Sequence, residues 1–383
     1  MPLSSSRRHW LRFGLAAAAC PRAGLAAPEG ATQAPRNAVV VGQTLSLDAG
    51  RNASAVAVRQ GIETALQVVR LNGGIRGRPL WLRTLDDQGD PEKATQNAQR
   101  LAADGALLLF APLGDRCASA VLAEARRSQT PLMAPLSGLA RFYEAAPSGV
   151  YPVRASAAAE CEALWRQAKA LGMKRLATLH LDDEWGQSLR DDARTTALSL
   201  SLAQPMSLSV TPGSPAQALS PLLERARTAD VVLLLTGGPA AAEFVRQARR
   251  QGLRAVIMGL SSTATELLQP LGAEAYGLQF SQVVPSPWST SLLWVQQYQA
   301  AFKATFRGQH LSHLSLEAYV STLALAEALR VAGPQPTRDG LRAALSNHSV
   351  ELDGFSSHYL DAEPRGSRYV DIALVGHEGR WRQ

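Results

Sequence analysis

Long apolar runs are missing from this sequence. No window of about 20 uninterrupted apolar residues occurs, so no segment is suited to cross a bilayer as a helix. Cysteine is scarce, at 3 in 383 residues. Cys117 and Cys161 each fall near the start of a separate expected helix, so buried free thiols are expected there rather than a disulfide. Beyond the first 26 residues no Lys/Arg run carries interleaved aromatics, which argues against a nucleic-acid partner. Gly-x-Ser-x-Gly is absent, leaving no nucleophile elbow for a hydrolase. No Gly-x-Gly-x-x-Gly follows a strand, which removes the usual nucleotide fingerprint. There is no short-period repeat either.

What is present begins with targeting chemistry. Arg7 and Arg8 precede a short, mildly apolar run, Phe13 to Cys20, and the small-residue stretch AGLAAPEG follows. Ser6-Arg7-Arg8-His9-Trp10-Leu11-Arg12 fits the twin-arginine pattern, and Gly24 and Ala26 suit cleavage after Ala26. Residues 1–26 are therefore expected to be a twin-arginine signal peptide that sends the chain to the periplasm. Lipoprotein anchoring at Cys20 is the weaker alternative, because Ala17 stands where that motif usually carries Leu. Removing Arg7, Arg8, Arg12 and Arg22 from the 39 basic residues leaves 35 against 32 acidic ones, so much of the +7 charge belongs to the signal.

The remainder, in a chain with 46% hydrophobic residues, is long enough for two or three domains. Continuous apolar runs read as strands: AVVVGQ, LWLRTLDD, ALLLFAP, PLMAP, RLATLHLDD, VVLLLTGG and RAVIMGL. Helical patterns lie between them, at Ala53–Leu71, Glu92–Ala103, Ala118–Ser128, Ala157–Leu171, Ser188–Ser199, Pro215–Thr228 and Ala240–Gly252. Apolar strands separated by amphipathic helices predict parallel sheets covered on both faces, a doubly wound α/β fold. The number of strands calls for two such Rossmann-like lobes joined by hinge strands. One crossing is expected at Tyr151–Glu160 and a second at Gly277–Pro287, where Pro285 and Pro287 end the alternation. Two helical segments follow, and the chain closes on the β-like FSSHYLD and RYVDIALVGHEGRW.

The stretch NGGIRGRPLWLRTLDDQGDP, Asn72 to Pro91, carries glycines and aspartates that could suggest a phosphate or metal site. The glycines close a helix instead of opening one, and the aspartates lack EF-hand spacing, so a structural role is expected. Asp90-Pro91 is read as the start of the next helix. No metal site is expected elsewhere: Asp182, Asp183 and Glu184 read as a solvated loop, and His310 and His313 as a surface pair.

From Ala38 to Arg382 the chain resembles the exported type I periplasmic solute-binding proteins of branched-chain amino acid (Leu/Ile/Val) ABC transporters. The segments LNGGIRGRPLWLRTLDDQGDPEKA, GVYPVRAS, LDDEWGQSL, FVRQARRQGL and GSRYVDIALVGHEGRW carry that resemblance, in order. It implies a first lobe from residues 38–151 and 286–350 and a second from residues 152–285 and 351–383. It also implies a monomer that closes on a small ligand, without enzymatic activity or cofactor, and delivers it to an ABC permease in the inner membrane. The alternative is a ligand-sensing subunit of a signalling system.

In open parallel sheets ligands sit beyond the carboxyl ends of the strands. The loops so placed nominate Gly114, Asp115, Ser137, Gly138, Trp185, Thr236, Gly237, Ser261 and Ser262 as ligand-binding. As a bare residue Asp115 reads as a helix N-cap. Related proteins carry hydroxyls in its loop for a ligand carboxylate, which an ionised Asp115 would repel. Ser137 and Gly138 sit where the family offers hydroxyl and backbone donors. Trp185 stands where many relatives carry Tyr and is expected to cover an apolar ligand. Gly237 replaces an aromatic position, which would widen the pocket. In amino-acid binders an acid near Ser261 pairs with the ligand's ammonium, and its apparent absence argues against an α-amino acid. The small-molecule ligand is expected to be amino-acid-like, an amide or urea-like solute, or an organic acid.

Overall fold

The computed structural model describes residues 34–48, 50, 52–144, 149–347, 349–359, 366–377 and 381–382. The expected signal peptide, residues 1–26, and Cys20 lie outside them. The first unit contains β1 (Val39–Leu45), β2 (Leu80–Asp86), β3 (Leu109–Phe110), β4 (Leu132–Met133) and β5 (Val150–Tyr151). They form a five-stranded sheet in the order β2-β1-β3-β4-β5, parallel throughout. Helices α1 (Ala53–Leu71), α2 (Pro91–Ala103) and α3 (Asp115–Arg127) supply its crossovers. A parallel sheet needs such crossovers, and they bury both faces of strands as apolar as β1 and β4.

The second unit alternates α4 (Ala157–Ala170), β6 (Leu176–Leu181), α5 (Glu184–Ser199), β7 (Met206–Val210), α6 (Ser220–Ala226), β8 (Val231–Leu234), α7 (Gly238–Arg250), β9 (Val256–Gly259), α8 (Ser261–Leu271) and β10 (Gln279–Gln282). The chain then returns through α9 (Leu293–Thr305), α10 (His313–Val331) and α11 (Arg338–Ser346). Tyr298, Phe302, Leu316 and Tyr319 from α9 and α10 share one core with Val58 and Ile62 of α1, so these helices cover the first sheet. A small antiparallel sheet follows, of β11 (Val350–Leu352), β12 (Phe355–His358) and β13 (Gly366–Ser367), and Val350 and Phe355 join that same core. The terminal strands β14 (Asp371–Val375) and β15 (Trp381–Arg382) complete a seven-stranded sheet, β15-β14-β10-β9-β8-β6-β7, with β14 antiparallel to β10.

The chain thus passes between the units three times, after β5, after β10 and after β13. The passages touch: the Ser367 amide donates to the Val153 carbonyl at 3.1 Å, and the Ser357 hydroxyl to that of Pro152 at 3.4 Å. Gly366 has φ +82°, and a Cβ there would stand 2.5 Å from the Arg154 carbonyl oxygen, so the close approach requires glycine.

Local chemistry explains the Asn72–Pro91 stretch. Gly73 and Gly74 have φ +81° and +67° just beyond α1, and Arg78 donates to the carbonyls of Asn37, Ala38 and Pro334. Asp90 caps α2 by accepting from the amides of Glu92 and Lys93, with Pro91 at the first helical position. Cys117 and Cys161 are buried and free, and burial pushes the Cys117 thiol up to about 12. One expectation needs correction. The pattern at Pro215–Thr228 is a 3-10 turn, Ala216–Leu219, followed by the short α6. The segment at Gly277–Pro287 also holds β10, after which the chain crosses, and a further helix, α8, starts at Ser261.

Candidate functional site

The carboxyl ends of both sheets surround a cavity of about 910 Å³. The first unit contributes Asn52 at the start of α1 and Leu113 to Cys117 at the start of α3. The second contributes Leu181, Asp183 and Trp185 around the start of α5, Leu235 to Gly237 after β8, and one side of α8. Arg154, from the first passage, and Gln282, the last residue of β10, also line it, and His313 and Glu317 of α10 close the wall. The volume suits a small molecule, and the placement follows the rule for open parallel sheets.

Seven of the nine nominated residues line this cavity: Gly114, Asp115, Trp185, Thr236, Gly237, Ser261 and Ser262. Ser137 and Gly138 do not. Ser137 is fully buried and donates its hydroxyl to Asp115 Oδ1 at 2.6 Å. The Gly138 carbonyl accepts from the Ala157 amide at 2.8 Å, which ties β4's loop to the start of α4. Both residues therefore support the wall from behind.

Asp115 is not the helix cap. Gly114 takes that position, with φ +80°, and Asp115 is the first residue of α3 with its carboxylate turned to Ser137. Burial raises the Asp115 pKa, as do nearby Asp183 and Glu160, against the Ser137 hydrogen bond and Arg154. Trp185 sits at the cavity edge with Arg116 4.9 Å above its ring, and its Nε1 reaches Ser119 Oγ at 3.4 Å. Arg116 also pairs with Asp183 at 2.7 Å, and Asp183 in turn caps α5 by accepting from the Gly186 amide at 2.9 Å. With the Arg141–Glu184 pair, these contacts bridge the units along the cavity's rim.

Ser261 faces inward but is engaged. Its hydroxyl accepts from Arg154 Nη2 at 2.6 Å, and its amide donates to Glu160 Oε2 at 2.8 Å. Arg154, 3% exposed, further pairs with Glu160 Oε1 at 2.8 Å and Glu317 Oε1 at 3.4 Å. Burial works against the charged guanidinium, yet Glu317 and Glu160 hold its pKa above the usual value. The same cluster takes residues from the first passage, α4, α8 and α10.

The space vacated at Gly237 is not open. A Cβ there would lie 2.3 Å from Glu266 Oε2, so the carboxylate of α8 occupies the room that a side chain at 237 would need. Glu266 is exposed, but into the cavity, and the enclosing protein together with Asp115 still raises its pKa. The expectation that no acid accompanies Ser261 is thereby corrected: Glu266 follows five residues later on the same helix. His313 is also corrected. Only His310 is exposed. His313 is buried, edge-on to Trp288 and Trp381, with both ring nitrogens unpartnered, and burial lowers its pKa to about 3. Among the described residues no group of three His, Cys, Asp or Glu is placed to hold a metal.

Arg154, Glu266, Gln282, Glu317 and Trp381 escaped the sequence reading. Arg154 stood in GVYPVRAS, a segment already diagnostic, but nothing local marked its side chain as inward. Glu266 follows Ser262 by four residues on α8, so a helical reading from Ser261 would have turned the two to the same wall.

Comparison with known proteins agrees with this geometry. Residues 39–373 match the family described as periplasmic binding protein, and the chain belongs to that family. A substrate-binding periplasmic protein from Ralstonia solanacearum is 26% identical with a TM-score of 0.78, covering 90% of this chain and 99% of that one. A possible leucine/isoleucine/valine-binding protein from Rhodopirellula baltica SH 1 is 21% identical, with a TM-score of 0.83 and coverage of 92% and 98%. An ABC transporter substrate-binding protein from Desulfitobacterium hafniense, in complex with Leu, is 17% identical, with a TM-score of 0.75 and coverage of 90% and 99%. No curated protein matches the sequence.

Proposed function

We propose that the protein captures a small solute in this cavity by hinged closure of its two units and delivers it to an ABC permease in the inner membrane. The carrying observation is the cavity itself: about 910 Å³, walled by strand ends of two sheets that three chain passages connect. Ligand that touches both walls when they are closed, and only one when they are open, shifts the population by its differential affinity. In this reading Gly114, Asp115, Trp185, Thr236, Gly237, Ser261 and Ser262 form the lining, with Ser137 and Gly138 holding Asp115 and its loop in place. Residues 1–26 export the chain, which works as a monomer and turns nothing over. Thermal-shift screening of the purified protein over amines, amino acids, amides and organic acids tests the proposal. At least one solute should raise the melting temperature in a saturable way and remain chemically unchanged. Multiple turnover of such a solute, or no response to any, would remove it.

A further inference from the structure

Among the described residues, the cavity's charges do not balance. Among the described lining residues the arginines are Arg116 and Arg154. Arg116 is matched by Asp183, and Arg154 by Glu160 and Glu317. Asp115 and Glu266 have no arginine, lysine or histidine within salt-bridge distance among the described residues; burial raises the pKa of both, and Asp115 raises that of Glu266 further. Two carboxylates facing one enclosed space are unfavourable unless a positive charge or protons reach them.

A second observation points to an absent ligand. Gln282 and His313 line the same cavity, at 2% and 8% exposure. The Gln282 Nε2 and both His313 ring nitrogens have no hydrogen-bond partner. A desolvated amide without a partner costs stability, and is retained sensibly where another molecule completes it. The walls beside them are apolar or aromatic: Leu113, Leu181, Leu189, Val283, Trp185 and Trp381. Aromatic faces favour an organic cation, and among the described residues no group of three His, Cys, Asp or Glu is placed to hold a bare metal ion.

Resting on the solute-binding reading, we propose that the cavity selects a small organic cation: a protonated amine or amidine head held by Asp115 and Glu266, an apolar body against the leucines and tryptophans, and a hydrogen-bonding group for Gln282. The arrangement is the reverse of one that grips a carboxylate. An acid would meet Asp115 and Glu266 head on, while Arg154, the inward cation, is already engaged by two carboxylates and Ser261.

Three probes of one chain length isolate head charge: 5-aminopentanamide (cation), pentanamide (neutral) and 5-amino-5-oxopentanoate (anion), titrated calorimetrically into the full chain at pH 7.5. The cation is expected to bind at least tenfold more tightly than pentanamide, and the anion more weakly than both. Asp115→Asn and Glu266→Gln, checked for an unchanged circular dichroism spectrum, should each reduce cation affinity about tenfold and shrink the cation's margin over pentanamide. Equal affinity for the three, tighter binding of the anion, or no binding of the cation would overturn the inference. Binding of the neutral or anionic probe in those cases would leave the solute-binding reading standing, whereas that reading falls only with the broader screen.

Discussion

Two sets of arginine–carboxylate pairs bridge the units, and they differ mainly in burial. At the hinge, Arg154 is 3% exposed and is enclosed with Glu160 and Glu317. At the rim, the side chain of Arg116 is 50% exposed beside Asp183, and Arg141 meets an exposed Glu184. Burying an ion pair costs several kcal/mol in lost hydration, so the hinge cluster adds little net stability but becomes very costly to break. The exposed pairs are worth about 0–1 kcal/mol and are screened by salt. On the proposed hinged closure, the same chemistry serves as a permanent joint in one place and as a releasable latch in the other.

The largest effect is expected at the joint. Arg154→Met leaves Glu160 and Glu317 buried without their cation and should cost about 3–5 kcal/mol in urea unfolding. A loss below about 1 kcal/mol would place the cluster with the rim pairs and erase the distinction.

His313 sharpens the comparison, because it is a buried titratable group with no counter-charge. Its pKa in the fold is about 3, so the unfolded chain takes up the proton first. Its contribution is complete above about pH 6.5 and is lost as pH falls towards 3. At pH 5 this amounts to about 2 kcal/mol relative to neutral pH. His313→Phe, which keeps an aromatic ring beside Trp288 and Trp381, should remove that part of the acid sensitivity in paired urea titrations at pH 7.5 and 5.

The smallest effect belongs to the latch. Arg116→Ala should change stability by no more than about 1 kcal/mol. It should nevertheless favour the open arrangement, read as a larger radius of gyration without ligand, and 0.5 M salt should do the same to the unaltered protein. A stability loss matching that of Arg154→Met would show that the rim is structural.

Much of the fold was readable because period and burial coincide. The 19 residues Ala53–Leu71 emerge as α1 with the bounds that their pattern predicts. Among the strands missed, β7 is an edge strand whose MSLSV alternates apolar and polar residues, unlike the continuous apolar runs that marked the central strands. α8 was hidden by the Ser261-Ser262-Thr263 start and by Pro270 inside the helix. At the cavity, strand ends and helix starts identified the loops, since topology alone decides which loops converge. Side chains arriving from helix interiors or passages, Glu266, Glu317 and Arg154 among them, carry no local mark. Their inward placement depends on how two distant chain segments meet. For that reason the sequence pointed to an amino-acid-like, amide or acidic ligand, while the assembled wall is rich in carboxylates.

Closure around a solute can be measured directly by small-angle scattering of the full chain, alone and saturated with whichever solute raises its melting temperature. A smaller radius of gyration with ligand, reversed on dialysis, is predicted. An unchanged radius at demonstrated saturation would contradict hinged capture.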